Sequence, residues 1–472
     1  MKRRIGWILA VLCLGLAAGT QAQIATGSIY GTVTDESGGV LPGAMVTLTG
    51  ANTATRSVTT SSAGDYRFLN LDPGTYKLTA SLKGFATVAR EVIVNSGINI
   101  TVGFGLKVGS AVENVTVTAE TPVIDLKKVG TATTLTRDDL EKVPNARDPW
   151  AILRAIPGVQ VDRVNIAGSE SGQQATFFGK GSLQADVVWN YDGIVITDPS
   201  AAGSSPAYYD FDAFDEITYQ TGGNDIKMAT GGIGINFVTK RGTNAFHGDA
   251  HGFLASHKLE SSNLPASLQS DPRLVNPDGT RRDQADHIQQ VGDYGFDLGG
   301  PIVKDKLWFW ASYGKQDVRL QRLSGTFDKT LLKTWNGKLN WQPGPNDQVS
   351  FTYFNNFKDK YGRSVGPNQD AGSYTRDQGN AFSSKLHGLW KGEWNHTFSP
   401  SFFLSGKYSY NNNGGFYLHP RGGDVNGTVD FDNGVARGAY YSVMELKDPS
   451  PLATPELGAE LWRRSEAWVA ER

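Results

Sequence analysis

The stretch LLKTWNGKLNW at residues 331–341 and the stretch VSFTYFNNFK at residues 349–358 decide the fold class of this chain. In each stretch apolar or aromatic side chains alternate with polar ones, so an extended strand has one aromatic face and one polar face. The alternation recurs at residues 386–394 and 402–411. A soluble sandwich would bury mostly Val, Ile and Leu, whereas Trp, Tyr and Phe dominate here. The pattern therefore predicts the wall of a transmembrane antiparallel β-barrel.

The connections between these predicted strands alternate in length. Pro343–Asn346 and Ser399–Ser401 are short, whereas Asp359–Asn380 and Asn412–Gly434 are long and rich in Gly, Asn and Asp. Outer-membrane barrels have short periplasmic turns and long outside loops. The same pattern of strands joined by short and long connections continues in both directions. It predicts the first part of a barrel, about eight strands, over residues 246–446.

The N-terminus carries the pattern of a secretory signal peptide. Lys2, Arg3 and Arg4 precede an apolar run at residues 5–18, and Thr20-Gln21-Ala22 resembles a small-residue cleavage site. We therefore predict a signal peptide at residues 1–22.

Charge and cysteine content narrow the function classes. Removing the predicted signal peptide takes away three basic side chains, which changes the formal net charge from −2 to about −5. This charge gives no reason to expect a nucleic-acid partner. The single cysteine, Cys13, lies inside the signal peptide, so the mature chain has no thiol. Disulfide frameworks, thiolate metal sites and cysteine nucleophiles are therefore excluded.

Seven short runs separated by turn residues follow the signal peptide. The predicted strands are Ser28–Asp35, Ala44–Thr49, Arg56–Thr60, Tyr66–Leu69, Gly74–Leu82, Ala89–Val94 and Ile98–Leu106. Gly38-Gly39 and Asp72-Pro73-Gly74 supply the turn chemistry between them. Seven strands in so short a segment predict a small β-sandwich.

Several phrases in this sandwich resemble the carboxypeptidase regulatory-like domain. They are GTVTD at residues 31–35, LPGA at 41–44, GDYRF at 64–68, LDPGTY at 71–76 and KGF at 83–85. The resemblance implies a fold similar to transthyretin and to carbohydrate-binding sandwiches, over residues 23–108.

Two functions are open for the sandwich. It binds a glycan or another envelope partner, or it is a stability and docking module without a ligand. Glycan binding would need exposed aromatic side chains, and the candidates are Tyr30, Tyr66, Phe68, Tyr76 and Phe85. Most of them alternate with polar residues, which is also what core positions of a strand do.

Residues 123–245 predict a mixed α/β domain. Thr136 and Asp139 resemble a capping box for a helix at Arg137–Lys142, and a second helix is predicted at Pro149–Ile156. Asp192-Gly193 is predicted to join residues 187–192 and 194–197 in a hairpin.

The phrases LRAIPGVQV at residues 153–161 and TGGIGINFVTKRGTN at 230–244 resemble the plug domain of TonB-dependent outer-membrane receptors. DLGGPIVKDKLWF at 297–309 resembles the early barrel of the Oar-like branch, which also carries the sandwich. The resemblance implies a mainly β chain in the Gram-negative outer membrane, with the sandwich in the periplasm.

This family couples to its energy source through an extended segment, the TonB box, that precedes the plug. The box adds as a strand to a TonB-type inner-membrane protein. The matching residues lie in the predicted linker, residues 109–122, and are Val115, Thr116, Val117, Thr118 and Ala119. The alternative is that they form a last sandwich strand, but Pro122 just beyond them favours a linker.

Three short motifs resemble catalytic or metal-binding sites, but none has the residues or the spacing that such a site requires. His247 and His251 have helical zinc-site spacing, but a strand would hold them ~13 Å apart. GSESG at residues 168–172 has Glu where a nucleophile elbow needs Ser. Asp210, Asp212, Asp215 and Glu216 lack the ligand order of an EF-hand and predict a solvated acidic loop. We expect no enzyme, cofactor or metal site.

Alternation stops after the last predicted strand, Val435–Leu446, and residues 447–472 are predicted to be an aberrant tail. Plugged outer-membrane transporters have 22 strands, so eight strands are about a third of such a wall. We therefore expect an N-terminal fragment. The resemblance implies energy-coupled uptake of an unidentified ligand, for which an oligosaccharide is one candidate, by a protein embedded in outer-membrane lipid. The alternative is a periplasmic or surface carbohydrate-binding or adhesion protein that uses the sandwich.

Overall fold

The structure is a computed structural model, and it describes most of the chain between residues 26 and 437. The described residues are 26–51, 53–109, 131–142, 145–198, 202–205, 207–223, 231–262, 264–275, 279, 286–321, 327–361, 374–377, 388–399, 402–412, 416–419, 428–430 and 435–437. The predicted signal peptide, the predicted TonB box and the predicted tail lie outside them. No helix among the described residues is both long and apolar enough to cross a membrane.

The sandwich has two four-stranded sheets. Its strands are β1 (Gly27–Asp35), β2 (Met45–Gly50), β3 (Thr53–Thr59), β4 (Asp65–Leu71), β5 (Gly74–Ser81), β6 (Val88–Val94), β7 (Asn99–Thr101) and β8 (Phe104–Leu106). One sheet has the order β4-β1-β7, with β8 also on β1, and the other has the order β3-β2-β5-β6. Both β7 and β8 run parallel to β1.

Eight strands are observed where seven were predicted, because the last predicted run breaks into β7 and β8. Tyr66 donates its hydroxyl to the carbonyl oxygen of Val102 at 2.7 Å, which satisfies the backbone at the break. A side chain at Gly31 would meet that same carbonyl oxygen, so only glycine fits there. The break therefore follows from close packing around Tyr66.

The sandwich core contains most of the aromatic residues proposed as a stacking surface. Tyr66, Phe68 and Tyr76 are buried, and Phe85 packs partly buried against the same core. Tyr30 is 37% exposed. The core explanation of these residues is therefore the correct one for three of the five.

The plug has one five-stranded sheet and two short helices. Its strands are β9 (Thr131–Thr136), β10 (Val159–Val161), β11 (Phe177–Gly179), β12 (Val188–Tyr191), β13 (Ile194–Val195), β14 (Phe214–Gly222) and β15 (Gly234–Thr239), and its helices are α1 (Arg137–Lys142) and α2 (Pro149–Ile152). The sheet order is β13-β12-β15-β14-β9, and β10 pairs with β11 separately. Short 3-10 helices lie at Leu153–Ala155, Gln184–Asp186 and Phe211–Ala213.

The predicted helix starts are confirmed at both helices. The Asp139 carboxylate accepts from the backbone and hydroxyl of Thr136 at 2.9 and 2.7 Å. Asp148 is the N-cap of α2 and Pro149 follows at its start, where a missing N–H costs nothing. The second helix was predicted to reach Ile156, but it ends at Ile152 and continues as a 3-10 turn.

The wall is one antiparallel sheet that begins at β16 (Ala250–Ser256). Its other long strands are β17 (His287–Val303), β18 (Leu307–Gln321), β19 (Phe327–Trp341), β20 (Asp347–Tyr361), β22 (Gly388–Ser399) and β23 (Phe402–Asn412), with the short strands β21 (Tyr374–Asp377) and β24 (Phe416–His419) attached. The described strands do not close on themselves. 3-10 helices at His257–Leu259, Ala266–Leu268 and Pro272–Leu274 follow β16.

The short turn predicted at Pro343–Asn346 lies between β19 and β20, and the described residues of one predicted strand lie apart from the wall. Of the predicted eighth strand, residues 435–437 are described as β26 (Val435–Arg437), which pairs only with β25 (Thr428–Asp430). Its remaining residues lie outside the described part. The long loop predicted at Asp359–Asn380 holds β21, which pairs with the end of β20.

The wall is polar inside and apolar outside, as predicted from the alternation. Thr334 and Lys338 are 2% and 5% exposed, whereas Leu339 and Trp341 are 42% and 49% exposed. Trp308 and Trp310 are exceptions, because they lie buried on the inward face of β18. Their indole N–H groups donate to Asn244 and Asp297, so each ring finds a polar partner there.

Candidate functional site: plug against barrel wall

The plug packs against the inward face of the wall through aromatic rings that carry polar groups. Tyr191 of β12 stacks on Phe354 of β20 with ring centroids 4.6 Å apart, and its hydroxyl meets the Asn336 side-chain oxygen at 2.5 Å. Lys358 donates to the Tyr208 hydroxyl at 2.9 Å and lies over the Tyr208 ring. These contacts join the buried aromatic cluster of the plug directly to the wall.

The turn of the β12–β13 hairpin places a carboxylate against two wall lysines. Asp192 has φ 48°, and its carboxylate lies 2.9 Å from the Lys338 ammonium group. Lys391 donates to the Asp192 carbonyl oxygen at 2.6 Å. Burial raises the pKa of Asp192, but Lys338 and Lys391 outweigh burial, so the pKa lies below its ordinary value. Asp192 is therefore a charged, fully paired contact between plug and wall.

A second buried pair has the opposite polarity. Lys240, just after β15 of the plug, lies 2.7 Å from Asp297 of β17, and each side chain is 4% exposed. Lys240 also lies 3.3 Å from Asp249. A buried pair loses several kcal/mol when one partner is removed, because an unpaired charge remains. This pair therefore fixes where β15 meets the wall.

A third cluster corrects the prediction of a solvated acidic loop. Asp210 is 7% exposed and Glu216 is 3% exposed, so both are buried. Burial raises the pKa of Asp210 to about 6. Arg147 pairs with Asp212 and lies 2.6 Å from Asp293 of the wall. Asp212, with Arg147, thus contributes to the plug–wall contact.

His251 of β16 completes this cluster. The sequence singled it out only through its spacing from His247, whereas its partners in the structure are two aspartates. Its ring pairs with Asp212 and lies 3.4 Å from Asp293. Ligand atoms of His251, Asp210 and Asp212 lie within 4.8 Å of one another, a spacing that suits a metal ion. Arg147, however, already pairs with Asp212. The cluster therefore works as a protein ion-pair network that joins plug loop and wall.

The plug loop after β10 lies at the long-loop end of the wall. Asn165 donates to Asp148 at 3.1 Å, and Glu170 donates its backbone N–H to Asn165 at 3.1 Å. Gln173 donates to Thr330, near the outer end of β19, at 3.1 Å. Burial raises the pKa of Asp148 to about 7. A buried carboxyl group thus holds the outer plug loop to α2.

The exposed side chains of that loop include two large apolar ones. Val164 and Ile166 are 54% and 65% exposed. Arg163 beside them lies 3.3 Å from Glu170, so its charge is balanced within the loop. The outer surface of the plug therefore offers apolar contact area beside a group of paired charges, Arg163 with Asp162 and Glu170.

The plug–wall interface thus combines ion pairs and single hydrogen bonds with an apolar cluster, in which Leu332, Phe354 and Leu389 of the wall pack against the plug core. Polar pairs can exchange their partners for water at little net cost, unlike a continuous apolar core. The arrangement suits a plug that is held firmly at rest and is separable from the wall. The predicted TonB box, Val115–Ala119, through which a TonB-type protein would pull on the chain, lies outside the described residues.

Three family models match successive parts of the chain. The carboxypeptidase regulatory-like domain matches residues 28–107, the TonB-dependent receptor plug domain matches residues 125–235, and an outer membrane beta barrel domain matches residues 238–328.

One curated relative and several solved structures are similar. The TonB-dependent transporter Oar of Myxococcus xanthus is 28% identical over 328 residues, which are 66% of this chain and 29% of the relative. The chain thus spans less than a third of that relative's length. The siderophore receptor PirA of Acinetobacter baumannii is 15% identical with a TM-score of 0.42, covering 68% of this chain and 43% of PirA. The outer membrane transporter YddB of Escherichia coli is 13% identical with a TM-score of 0.40, covering 61% and 45%.

The matched domains follow one another as sandwich, plug and barrel, in the order predicted from the sequence. The barrel and plug matches place the chain in the outer membrane. The chain therefore carries, in this order, a carboxypeptidase regulatory-like domain, a TonB-dependent receptor plug domain and an outer membrane beta barrel domain, and it is similar to the TonB-dependent transporter Oar.

Proposed function

We propose that this chain acts in TonB-dependent transport across the outer membrane and takes up an unidentified ligand with energy from a TonB-type inner-membrane protein. The observation that carries the proposal is the set of buried charge pairs between plug and wall. The proposal is for a transporter and receptor rather than an enzyme.

The interface supports transport because a plug must move relative to the wall to open a path. Asp192 with Lys338 and Lys240 with Asp297 hold the plug by charge, beside an apolar contact around Phe354. Each pair can be broken by pulling and re-formed without unfolding either domain. A plug needed only for stability would gain more from apolar packing.

The coupling segment proposed for this chain is Val115–Ala119. It lies between the end of the sandwich and β9, the edge strand of the plug sheet. Two valines and two threonines in five residues favour an extended conformation. A segment of this kind can add as a strand to an exposed sheet edge of a TonB-type protein.

Glycan binding by the sandwich has less support. Three of the five candidate aromatics are in the core, and Tyr30 alone among the five exceeds a third exposure. A sugar-stacking surface usually needs a ring open to solvent. The sandwich is better explained as a docking module.

The test compares two double variants of the coupling segment. Val115→Pro with Val117→Pro removes two backbone donors needed for strand addition, whereas Val115→Thr with Val117→Thr keeps them. We expect the proline variant to lose at least about tenfold in affinity for the purified periplasmic domain of the TonB-type protein. The threonine variant should bind as the unmodified chain does.

Equal binding by both variants would remove Val115–Ala119 as the coupling segment. A complete lack of binding by the unmodified chain would overturn the proposed function itself. Binding to a glycan array by the full chain, lost on Tyr30→Ala, would support the adhesion alternative.

A further inference from the structure

One end of the sandwich is docked on the plug and the wall at the same time. This end is formed by the described residues of the β2–β3 turn, the β4–β5 turn and the β6–β7 turn, which we call the docking turns (residues 50, 51, 53, 72–74 and 95–97). Each of them contacts a residue outside the sandwich. The contact is therefore made by a whole end of the domain.

Two docking turns bind the plug. Asp72 pairs with Arg241, whose side chain is 7% exposed. The backbone N–H of Ser96 donates to the Glu216 carboxylate at 3.2 and 3.3 Å, and its hydroxyl accepts from Asn236 at 3.2 Å. Glu216 and Asn236 lie on β14 and β15, in the centre of the plug sheet.

The third docking turn binds the wall and the segment that joins plug to wall. Gln342 accepts at its side-chain oxygen from the Thr53 hydroxyl at 3.1 Å and from the Ala54 backbone at 2.8 Å. Asn244 donates its backbone N–H to Ala51 at 2.9 Å. Gln342 begins the short β19–β20 turn, so the sandwich lies at the short-turn end of the wall.

The chain leaves the sandwich at the opposite end. Strand β8 runs parallel to β1 and pairs with its last residues, Val33–Asp35, whereas β1 begins at the docking end. At ~3.3 Å per residue, the nine residues of β1 place the exit roughly 25–30 Å from the docking turns. Any pull on residues 109–130 therefore acts on the sandwich from its far end and on the plug through β9.

We propose that the docked sandwich is a latch that bridges plug and wall at the short-turn end, and that a pull on the segment after residue 108 releases it before the plug moves. This latch rests on the proposed transport function. It deepens that function by assigning a regulatory role to the front domain.

The contacts suit a latch because they are few, polar and shared between two bodies. Gln342 belongs to the wall, whereas Arg241 belongs to the plug, so the docked sandwich ties the two together. Undocking would separate the Asp72–Arg241 ion pair and the hydrogen bonds of the docking turns. Water molecules can then take the place of the lost partners. Undocking leaves the sandwich core, centred on residues such as Phe68 and Leu78, untouched.

The test uses a cysteine pair across the docking contact. Thr53→Cys with Gln342→Cys places two thiols where the native side chains touch, and the only natural cysteine, Cys13, lies in the predicted signal peptide. The matched control is Ser37→Cys with Gln342→Cys, since Ser37 lies beyond β1 at the far end of the sandwich. A short bifunctional thiol reagent then measures the docked fraction.

We expect the first pair to cross-link in the purified full chain in detergent and the control pair not to. Asp72→Ala should lower the cross-linked fraction at least about threefold, because it removes the partner of a buried arginine. A second pair, Ala51→Cys with Asn244→Cys, reports the same contact if the first pair disturbs folding.

The release step is tested in energised cells that make the TonB-type partner. The cross-linked fraction should fall by at least about half in energised cells and recover with a protonophore. The proline variant at Val115 and Val117 should abolish the fall. Cross-linking that never exceeds the control pair would overturn docking. A fraction unchanged by energisation, in a chain that binds the TonB-type domain, would overturn the latch while leaving the proposed function intact.

Discussion

The sandwich and the wall are built from the same antiparallel, alternating strands, yet they bury opposite halves of the alternation. In the sandwich, Val46 and Phe68 are fully buried inside. In the wall, Asn356 and Lys338 are buried inside, and Leu339 and Trp341 face outward. Strand geometry is equal in the two regions, so it cannot explain the difference.

The difference shows that the medium around each sheet decides which face is buried. Water surrounds the sandwich, so its apolar face turns inward. Lipid surrounds the wall, so its apolar face turns outward and its polar face must find partners inside. The plug supplies those partners through Asp192, Lys240 and Arg147.

The largest expected effect comes from removing one phenylalanine in each region. Phe68→Ala should destabilise the sandwich by about 3–5 kcal/mol, because it leaves a cavity in a closed core. Phe296→Ala removes a ring that is 58% exposed on the outward face of β17 and should cost no more than half as much. The free energy of local opening, from amide hydrogen exchange of each region in the full chain, measures both. Equal losses of stability in the two variants would contradict the conclusion that the sandwich buries its apolar face and the wall exposes its own.

An intermediate effect is expected when a charge is placed on each outward face. Phe296→Arg near the middle of β17 should cost about 2–4 kcal/mol in a lipid bilayer. Ile93 is 53% exposed on the sandwich, and Ile93→Arg should change stability by about 0.5 kcal/mol or less. Unfolding in urea of chains refolded into lipid vesicles tests the first variant, and hydrogen exchange tests the second. A harmless Phe296→Arg would argue that this face meets water.

The smallest effect concerns the plug, which buries its apolar side chains inside as the sandwich does, although it is held within the wall. Burial raises the pKa of Asp148 to about 7, so the folded plug holds a proton that the unfolded chain releases near pH 4. The stability due to this proton is present at low pH and is lost as pH rises from about 4 through about 7. Asp148→Asn keeps an N-cap and should remove this loss, a gain of about 1 kcal/mol or more at pH 8.

Hydrogen exchange of residues 149–156 at pH 5 and pH 8, corrected for intrinsic exchange rates, measures the Asp148 effect. The matched control is Asp138→Asn, because Asp138 is an exposed carboxylate on α1. The control should keep the pH dependence of the unmodified chain. A pH dependence in Asp148→Asn equal to that of the unmodified chain would contradict the assignment.

Local features were predictable wherever neighbours in sequence carry the signal. The capping box at Thr136 and Asp139, the hairpin turn at Asp192 and the inward position of Lys338 all follow from short spacings. The burial of Asp210 was not predictable, because its surroundings come from the wall. The inward rings of Trp308 and Trp310 were missed for a related reason, since their partners Asn244 and Asp297 come from other segments.

The sequence by itself determined the alternation, the turn chemistry and the order of sandwich, plug and barrel, because each is written in residues close together along the chain. Only the tertiary structure decided which charges meet. Arg147 finds Asp293, and Asp72 finds Arg241, across separations of 146 and 169 positions. Such pairs depend on strand register and domain docking, which no local pattern encodes. The physical reason is that charge pairing acts over a few ångströms in space, whatever the distance along the chain.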